Sequence, residues 1–115
     1  STPDLGRCRA LDTNEPSDLQ KRYVDWITRT FIGKTNGYNP TIVLNNVFYN
    51  WGHRNIDARN LLAMVMNQAG FTGITVHPVG ESPDPHFAGI EKHGHAVGQP
   101  ELNAYETMAL EARKP

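Results

Sequence analysis

Apolar residues recur with a helical or a strand period in several stretches of this chain. From 17 to 33, Leu19, Tyr23, Ile27 and Phe31 repeat every fourth position, and Val24 and Trp26 widen the stripe, which predicts an amphipathic helix. Ser17, three residues before Gln20, forms a capping box at its start, and Gly33 ends it. Residues 34–40 are rich in Gly and Asn and read as a loop. The stretch 41–49 is ambiguous, because its residue types favour a strand while Val43, Leu44, Val47 and Phe48 fall at helical spacing. A helix is the expectation there, with Asn45 and Asn46 on its polar side. Residues 51–55 turn around Gly52. A further helix runs from 57 to 69: Asp57 is its expected cap, Ile56 staples onto Leu61, and Leu61, Leu62, Val65, Met66 and Ala69 form a stripe expected to be buried. Gly70 and apolar Phe71 fit a Schellman ending.

Extended patterns occupy the rest. Residues 74–78 read as a short strand, and 105–112 alternate as a half-buried strand should. Between 82 and 103 lie three prolines, three glycines and three histidines, with Asp84-Pro85 placed to open a short helix through Ile90. The first sixteen residues are polar and carry two prolines; Asp4-Leu5 is a possible strand end within a segment too short and mixed to assign. The expected fold is therefore α+β, with two to three amphipathic helices on a small, mostly antiparallel sheet, in one domain spanning 1–115.

The totals narrow the possibilities. With 115 residues and 38% hydrophobic content, the chain suits one small domain with a modest core. Its 11 basic and 12 acidic residues are scattered without runs, so the one-sided basic footprint of a nucleic-acid binder is missing and no nucleic-acid partner is expected. A single cysteine, Cys8, allows no internal disulfide. No apolar run approaches membrane-spanning length and no leader pattern is visible, which makes a soluble, cytoplasmic protein without a membrane partner the expectation.

Candidate chemistry is sparse. Gly33-Lys34-Thr35 imitates the end of a phosphate-binding loop, but position 28 is Thr where that motif needs glycine, and the segment follows a helix. A helix stop is the better reading. His86, His93 and His95 invite a metal, yet their spacing matches no zinc pattern, a site needs three or four converging donors and Cys8 is far off in sequence, so no metal site is assigned. No Gly-x-Ser-x-Gly elbow occurs. The most suggestive polar cluster is Trp51-Gly52-His53-Arg54. Its indole, imidazole and guanidinium either line a pocket, with His53 orienting or deprotonating a substrate, or else Trp51 packs and His53 bonds to backbone. Glu81 follows a strand and is either a pocket-edge carboxylate or part of a turn.

Several short motifs in order carry a resemblance. Residues 1–5, then Arg22-Tyr23-Val24-Asp25-Trp26, Asn45-Asn46 with Trp51-Gly52-His53, Ala69-Gly70-Phe71, Gly80-Glu81-Ser82, Gly89 to Gly94, and Glu106-Thr107-Met108 running into Glu111 to Pro115 resemble the C-terminal part of a class I S-adenosylmethionine-dependent methyltransferase. The resemblance implies that 74–78 and 105–112 are the sixth and seventh strands of that fold, the last antiparallel, and that residues 1–5 end the fifth. It also implies methyl transfer from a sulfonium cofactor to a nucleophile, in a desolvated pocket that holds the two in line.

The cofactor-holding half of such an enzyme is not represented. No G-x-G occurs among the ten glycines, and no earlier βαβ units carry one. No cofactor is therefore expected on this chain alone, and S-adenosylmethionine only where the missing half is present. The expected role is a substrate-side module, not catalytic alone, with His53 as the catalytic candidate and Trp51, Arg54, Glu81 and His93 as substrate-binding candidates for a small molecule. The alternative is a stand-alone binding or oligomerisation module without enzymatic activity. A two-strand hairpin with a few helices leaves a sheet edge and an apolar face uncovered, which leads to the expectation of a homo-oligomer or of pairing with an N-terminal half.

Overall fold

A computed structural model describes residues 2–34 and 37–115. Ser1, Thr35 and Asn36 lie outside the described residues, and with them part of the expected 1–5 strand end, of the 34–40 loop and of the Gly33-Lys34-Thr35 motif. The architecture is α+β: a three-stranded antiparallel sheet with helices from every part of the chain. The elements are β1 (Thr2–Pro3), α1 (Leu5–Ala10), α2 (Asp18–Ile27) continued by a π-helical turn (Thr28–Ile32), α3 (Pro40–Tyr49), α4 (Arg59–Gln68), β2 (Thr72–His77), α5 (His93–Ala96), α6 (Pro100–Glu106) and β3 (Thr107–Arg113).

The sheet order is β1-β3-β2, so the last strand is central. The start of β3 pairs with β1, Thr2 opposite Met108 and Pro3 opposite Thr107, while its later half pairs with β2, His77 opposite Ala109 through to Thr72 opposite Arg113. The short β1 is thus a true strand, and the chain then turns into α1, where Asp4 accepts the Gly6 amide on Oδ1 at 2.9 Å as the cap.

α2 begins as its sequence dictates. Ser17 accepts the Gln20 amide and the Gln20 side chain accepts the Ser17 amide, closing the capping box. The helix does not reach Gly33 in α geometry. After Ile27 the turn widens, and the Gly33 amide donates to the Thr28 carbonyl five residues back at 2.7 Å. The wider turn carries Phe31 off the buried stripe, so it is 45% exposed and meets the rings of Trp26 and Trp51.

The segment 40–49 is helical, with Pro40 at its first turn and Val43 and Val47 fully buried. Its two asparagines do not share a polar side. A helix turns about 100° per residue, so Asn45 faces solvent while Asn46 is buried beside the valines and accepts from Asn50 Nδ2 at 2.7 Å.

The core gathers Leu11, Tyr23, Val24, Ile27, Val43, Leu102 and Tyr105, with Leu19, Trp26, Ile32, Tyr38, Leu44 and Trp51 packed against it. It is built by α2, α3 and α6, and α4 does not enter it. None of Leu61, Leu62, Val65, Met66 or Ala69 is buried, and Leu61, Met64 and Val65 are 44–49% exposed, which corrects the expected buried stripe. Helical periodicity specifies one apolar face but not what covers it. α4 packs on β2 and not on the core. Nor does Asp57 cap this helix: Ala58 holds the cap position, and the Asp57 carbonyl instead accepts the Leu5 amide at 3.1 Å. Ile56 is buried while Leu61 is exposed, so no staple between them accounts for the burial. The helix does end in a Schellman motif, with Phe71 N donating to Met66 O and Gly70 N to Asn67 O, and Gly70 at φ +88°.

The C-terminal third differs most from expectation. Residues 84–88 close a single helical turn capped by Asp84, not a helix to Ile90. α5 and α6 were not anticipated, and Tyr105 and Glu106 belong to α6, so β3 starts at Thr107. Among the described residues no helix is long and apolar enough to cross a membrane.

Candidate functional site

A cavity of about 380 Å³ lies where α2, the π-turn, the 51–58 loop, α5 and the end of α6 meet. Trp26, Phe31 and Trp51 form its apolar lining, and His53, His93 and Glu106 supply its polar groups, with Val97 beside them. Each wall has a local cause. Trp26 lies on the edge of the α2 stripe, and the π-turn re-aims Phe31. α3 ends at Asn50, and Gly52, at φ +73°, turns the chain between Trp51 and His53. His93 opens α5, which is held tightly on α6: a Cβ on Gly94 would stand 2.7 Å from Pro100 Cα and 3.1 Å from Asn103 Cβ, so glycine is required for this approach.

The rings meet edge to face in sequence. Trp26 and Phe31 are 6.1 Å apart at 73°, Phe31 and Trp51 5.3 Å at 73°, and Trp51 and His53 6.4 Å at 70°. A second cavity, of about 220 Å³, adjoins the first through Trp51, His53, His93 and Glu106, and is closed on its other side by Thr2, Pro3, Glu91 and Asn103.

Glu106 is the unusual group. It is 6% exposed, and its Oε2 accepts a hydrogen bond from the Tyr23 hydroxyl. Burial raises its carboxyl above the ordinary range, partly opposed by the Tyr23 hydrogen bond and by His93. In return, burial and the Glu106 charge push the Tyr23 phenol well above the usual phenol range. Behind the pair, burial and the charges of Glu106 and Asp4 push the Cys8 thiol up to about 11. Asp4 is itself buried and accepts from Arg59 Nε at 2.7 Å.

Three of the five candidate residues thus converge, although Trp51 and His53 lie some forty positions from His93 in sequence. Glu81 is exposed and lines two neighbouring grooves, one against Phe87, Ile90 and the 109–112 stretch of β3, the other against Lys92, His95 and Pro100. Glu91 lines both grooves and the smaller cavity, and its Oε1 accepts the His93 amide at 3.0 Å. Arg54 is exposed and lines none of these spaces. The three histidines of the metal option are dispersed: His86 pairs with Asp84 at 2.9 Å, His93 faces the aromatic cavity, and His95 faces a groove. Among the described residues no three His, Cys, Asp or Glu side chains are grouped to hold a metal ion.

Sequence reasoning passed over Trp26, Phe31 and Glu106. The signal for α6 was a proline and an acid in a first helical turn, Pro100-Glu101, too short a pattern to mark Glu106. No protein-family model matches the chain, and no curated protein or solved structure matches it.

Proposed function

We propose that the chain is a small-molecule binding module that contributes the substrate side of a methyl-transfer site, with the Trp26–Phe31–Trp51–His53–His93–Glu106 cavity as its pocket. The observation that carries this reading is the convergence of Trp51, His53 and His93, from two distant segments, on one space closed by a buried carboxyl. Its volume of about 380 Å³ lies within the roughly 300–1,000 Å³ typical of small-ligand pockets, and a mostly apolar lining with a few convergent polar groups is their usual chemistry. In such a pocket His53 orients or deprotonates the acceptor, Trp51 supports its apolar body, and His93 and Glu106 fix its polar end. The sulfonium cofactor would be held by another segment or chain, because no glycine-rich turn is available here to approach it.

Calorimetric titration of this chain with S-adenosylmethionine is expected to give no binding, and a micromolar site would overturn the assignment of the cofactor to a missing half. For the pocket, a fragment screen by NMR is expected to yield ligands that shift the Trp51 and His93 resonances. His53→Ala should weaken those fragments about tenfold without changing the assembly state. Fragments unaffected by His53→Ala would remove the pocket from the reading.

A second reading, a binding or oligomerisation module, is favoured by the exposed Leu61, Met64 and Val65 on α4, with Val76, Phe87 and Ile90 also exposed. Sedimentation across the micromolar range tests it, since a chain that stays monomeric throughout would exclude self-association through that face.

A further inference from the structure

We infer that the aromatic cavity receives the cationic end of its ligand, an amine or methylated ammonium group, with Trp26, Phe31 and Trp51 as its walls and Glu106 as the counter-charge. This rests on the pocket reading above and names its ligand class. The first argument is geometric. Consecutive rings at 73° and 73° stand nearly perpendicular, so the three walls form corners instead of a flat stack. Rings set at such angles around one cavity can turn more than one π-face to a guest, and a π-face attracts a compact cation within about 6 Å of its centre.

The second argument is electrostatic. Of the residues that line this cavity, Glu106 is the acid and none is Lys or Arg. An anionic group would meet the carboxyl and the negative ring faces, and no Lys or Arg lines the cavity to receive it. Arg54, the guanidinium nearest in sequence to the pocket loop, is exposed and lines none of it.

The third argument is that Glu106 is held in position. Its Oε2 takes the Tyr23 hydroxyl, its backbone carbonyl accepts the Asp4 amide at 2.7 Å, and Tyr23 is locked in the core at 1% exposure. The donor on Oε2 is a neutral hydroxyl, and a buried carboxylate gains more from a charged N–H or ammonium donor. His53 and His93 line the same cavity, where an imidazole ring nitrogen can serve as a further hydrogen-bonding group.

The test uses the chain's own reporters. Trp26 and Trp51 are its two tryptophans, and both line the cavity, so intrinsic fluorescence reads occupancy directly. Choline and its uncharged isostere 3,3-dimethyl-1-butanol share a shape and differ in charge. Choline is expected to bind at least about tenfold more tightly. That preference should collapse in Glu106→Gln, which keeps an acceptor for Tyr23, and should weaken in Phe31→Leu, a half-exposed ring whose replacement leaves the core intact. Phe31→Leu carries the test if Glu106→Gln fails to fold by circular dichroism. Equal or tighter binding of the isostere overturns the cation assignment and leaves the pocket standing. Absence of any fluorescence change with both probes overturns the cation assignment and the pocket together.

Discussion

The buried Tyr23–Glu106 pair couples stability to pH in a way that two substitutions separate. Burial raises the Glu106 carboxyl above its ordinary value of 4.5, so the folded chain holds that proton more tightly than the unfolded chain does. The unfolding free energy contributed by this group is then full below the ordinary carboxylate value. It falls as pH rises towards the folded value, by up to about 1.4 kcal/mol per pH unit, and levels off beyond it. In Glu106→Gln there is no proton to lose, so the stability difference between wild type and variant should change steeply above about pH 4.5 and then flatten. Tyr23→Phe removes the hydrogen bond that partly opposes the shift, so the sloping window should extend to higher pH. Because it leaves a buried carboxyl without its donor, it should also cost roughly 1–3 kcal/mol at neutral pH. For a chain of 115 residues that is about 4 °C of Tm per kcal/mol. Urea denaturation followed by tryptophan fluorescence over a pH series supplies the curves, compared as differences so that background carboxylates cancel. The titratable groups around Glu106 are Tyr23 on α2, Cys8 on α1, Asp4 at its cap, His93 on α5, and His53 and Glu91 in the cavity linings. Repeating the pair of profiles in a His93→Asn background removes the His93 contribution to the carboxyl. A wild-type profile parallel to that of Glu106→Gln across the whole range would refute the reasoning.

Three further outcomes follow from the geometry. Gly94→Ala drives a Cβ to 2.7 Å from Pro100 Cα, which should cost about 1–3 kcal/mol by thermal denaturation and move the His93 resonances; an unchanged Tm would mean that the α5–α6 contact is not tight. Cys8 is 2% exposed with its thiol pushed up to about 11, so a maleimide should modify the native chain at least about a hundredfold more slowly than the urea-unfolded chain, and comparable rates would contradict its burial. Leu61→Glu with Val65→Glu, at positions 44% and 49% exposed, should change the intrinsic stability of the chain by no more than about 0.5 kcal/mol each while abolishing any self-association seen by sedimentation; a loss above about 2 kcal/mol would show that this face is covered within the chain.

Local chemistry was written legibly in the sequence. The Ser17–Gln20 capping box, the Gly70-Phe71 Schellman ending and the turn at Gly52 depend on residues within a few positions of one another, and each formed as its residues require. The α+β class followed from the same periods. Two kinds of feature were not legible. A pattern such as that of α4 states that one face is apolar, but burial of that face is a property of whatever packs against it, and here the core closes without it. The short α5 and α6 give too few turns for a period to emerge among prolines, glycines and histidines, so Glu106 read as a strand residue.

The candidate site divides in the same way. Trp51 and His53 stood out because they are neighbours in a loop, and His93 because it lies in a histidine-rich segment. Their meeting, and the exclusion of Arg54, were decided by tertiary structure alone. Glu106 becomes a pocket group only because β3, as the central strand, draws the end of α6 beneath Tyr23, and because Gly94 lets α5 lie close on α6. The capping box at Ser17 and the Schellman ending at Gly70 are set by interactions over a few residues, whereas Asp57 lost its expected cap role to Ala58 and bonds instead with the distant Leu5. A cavity is set by which distant surfaces exclude water together, and that is known only once the chain has packed.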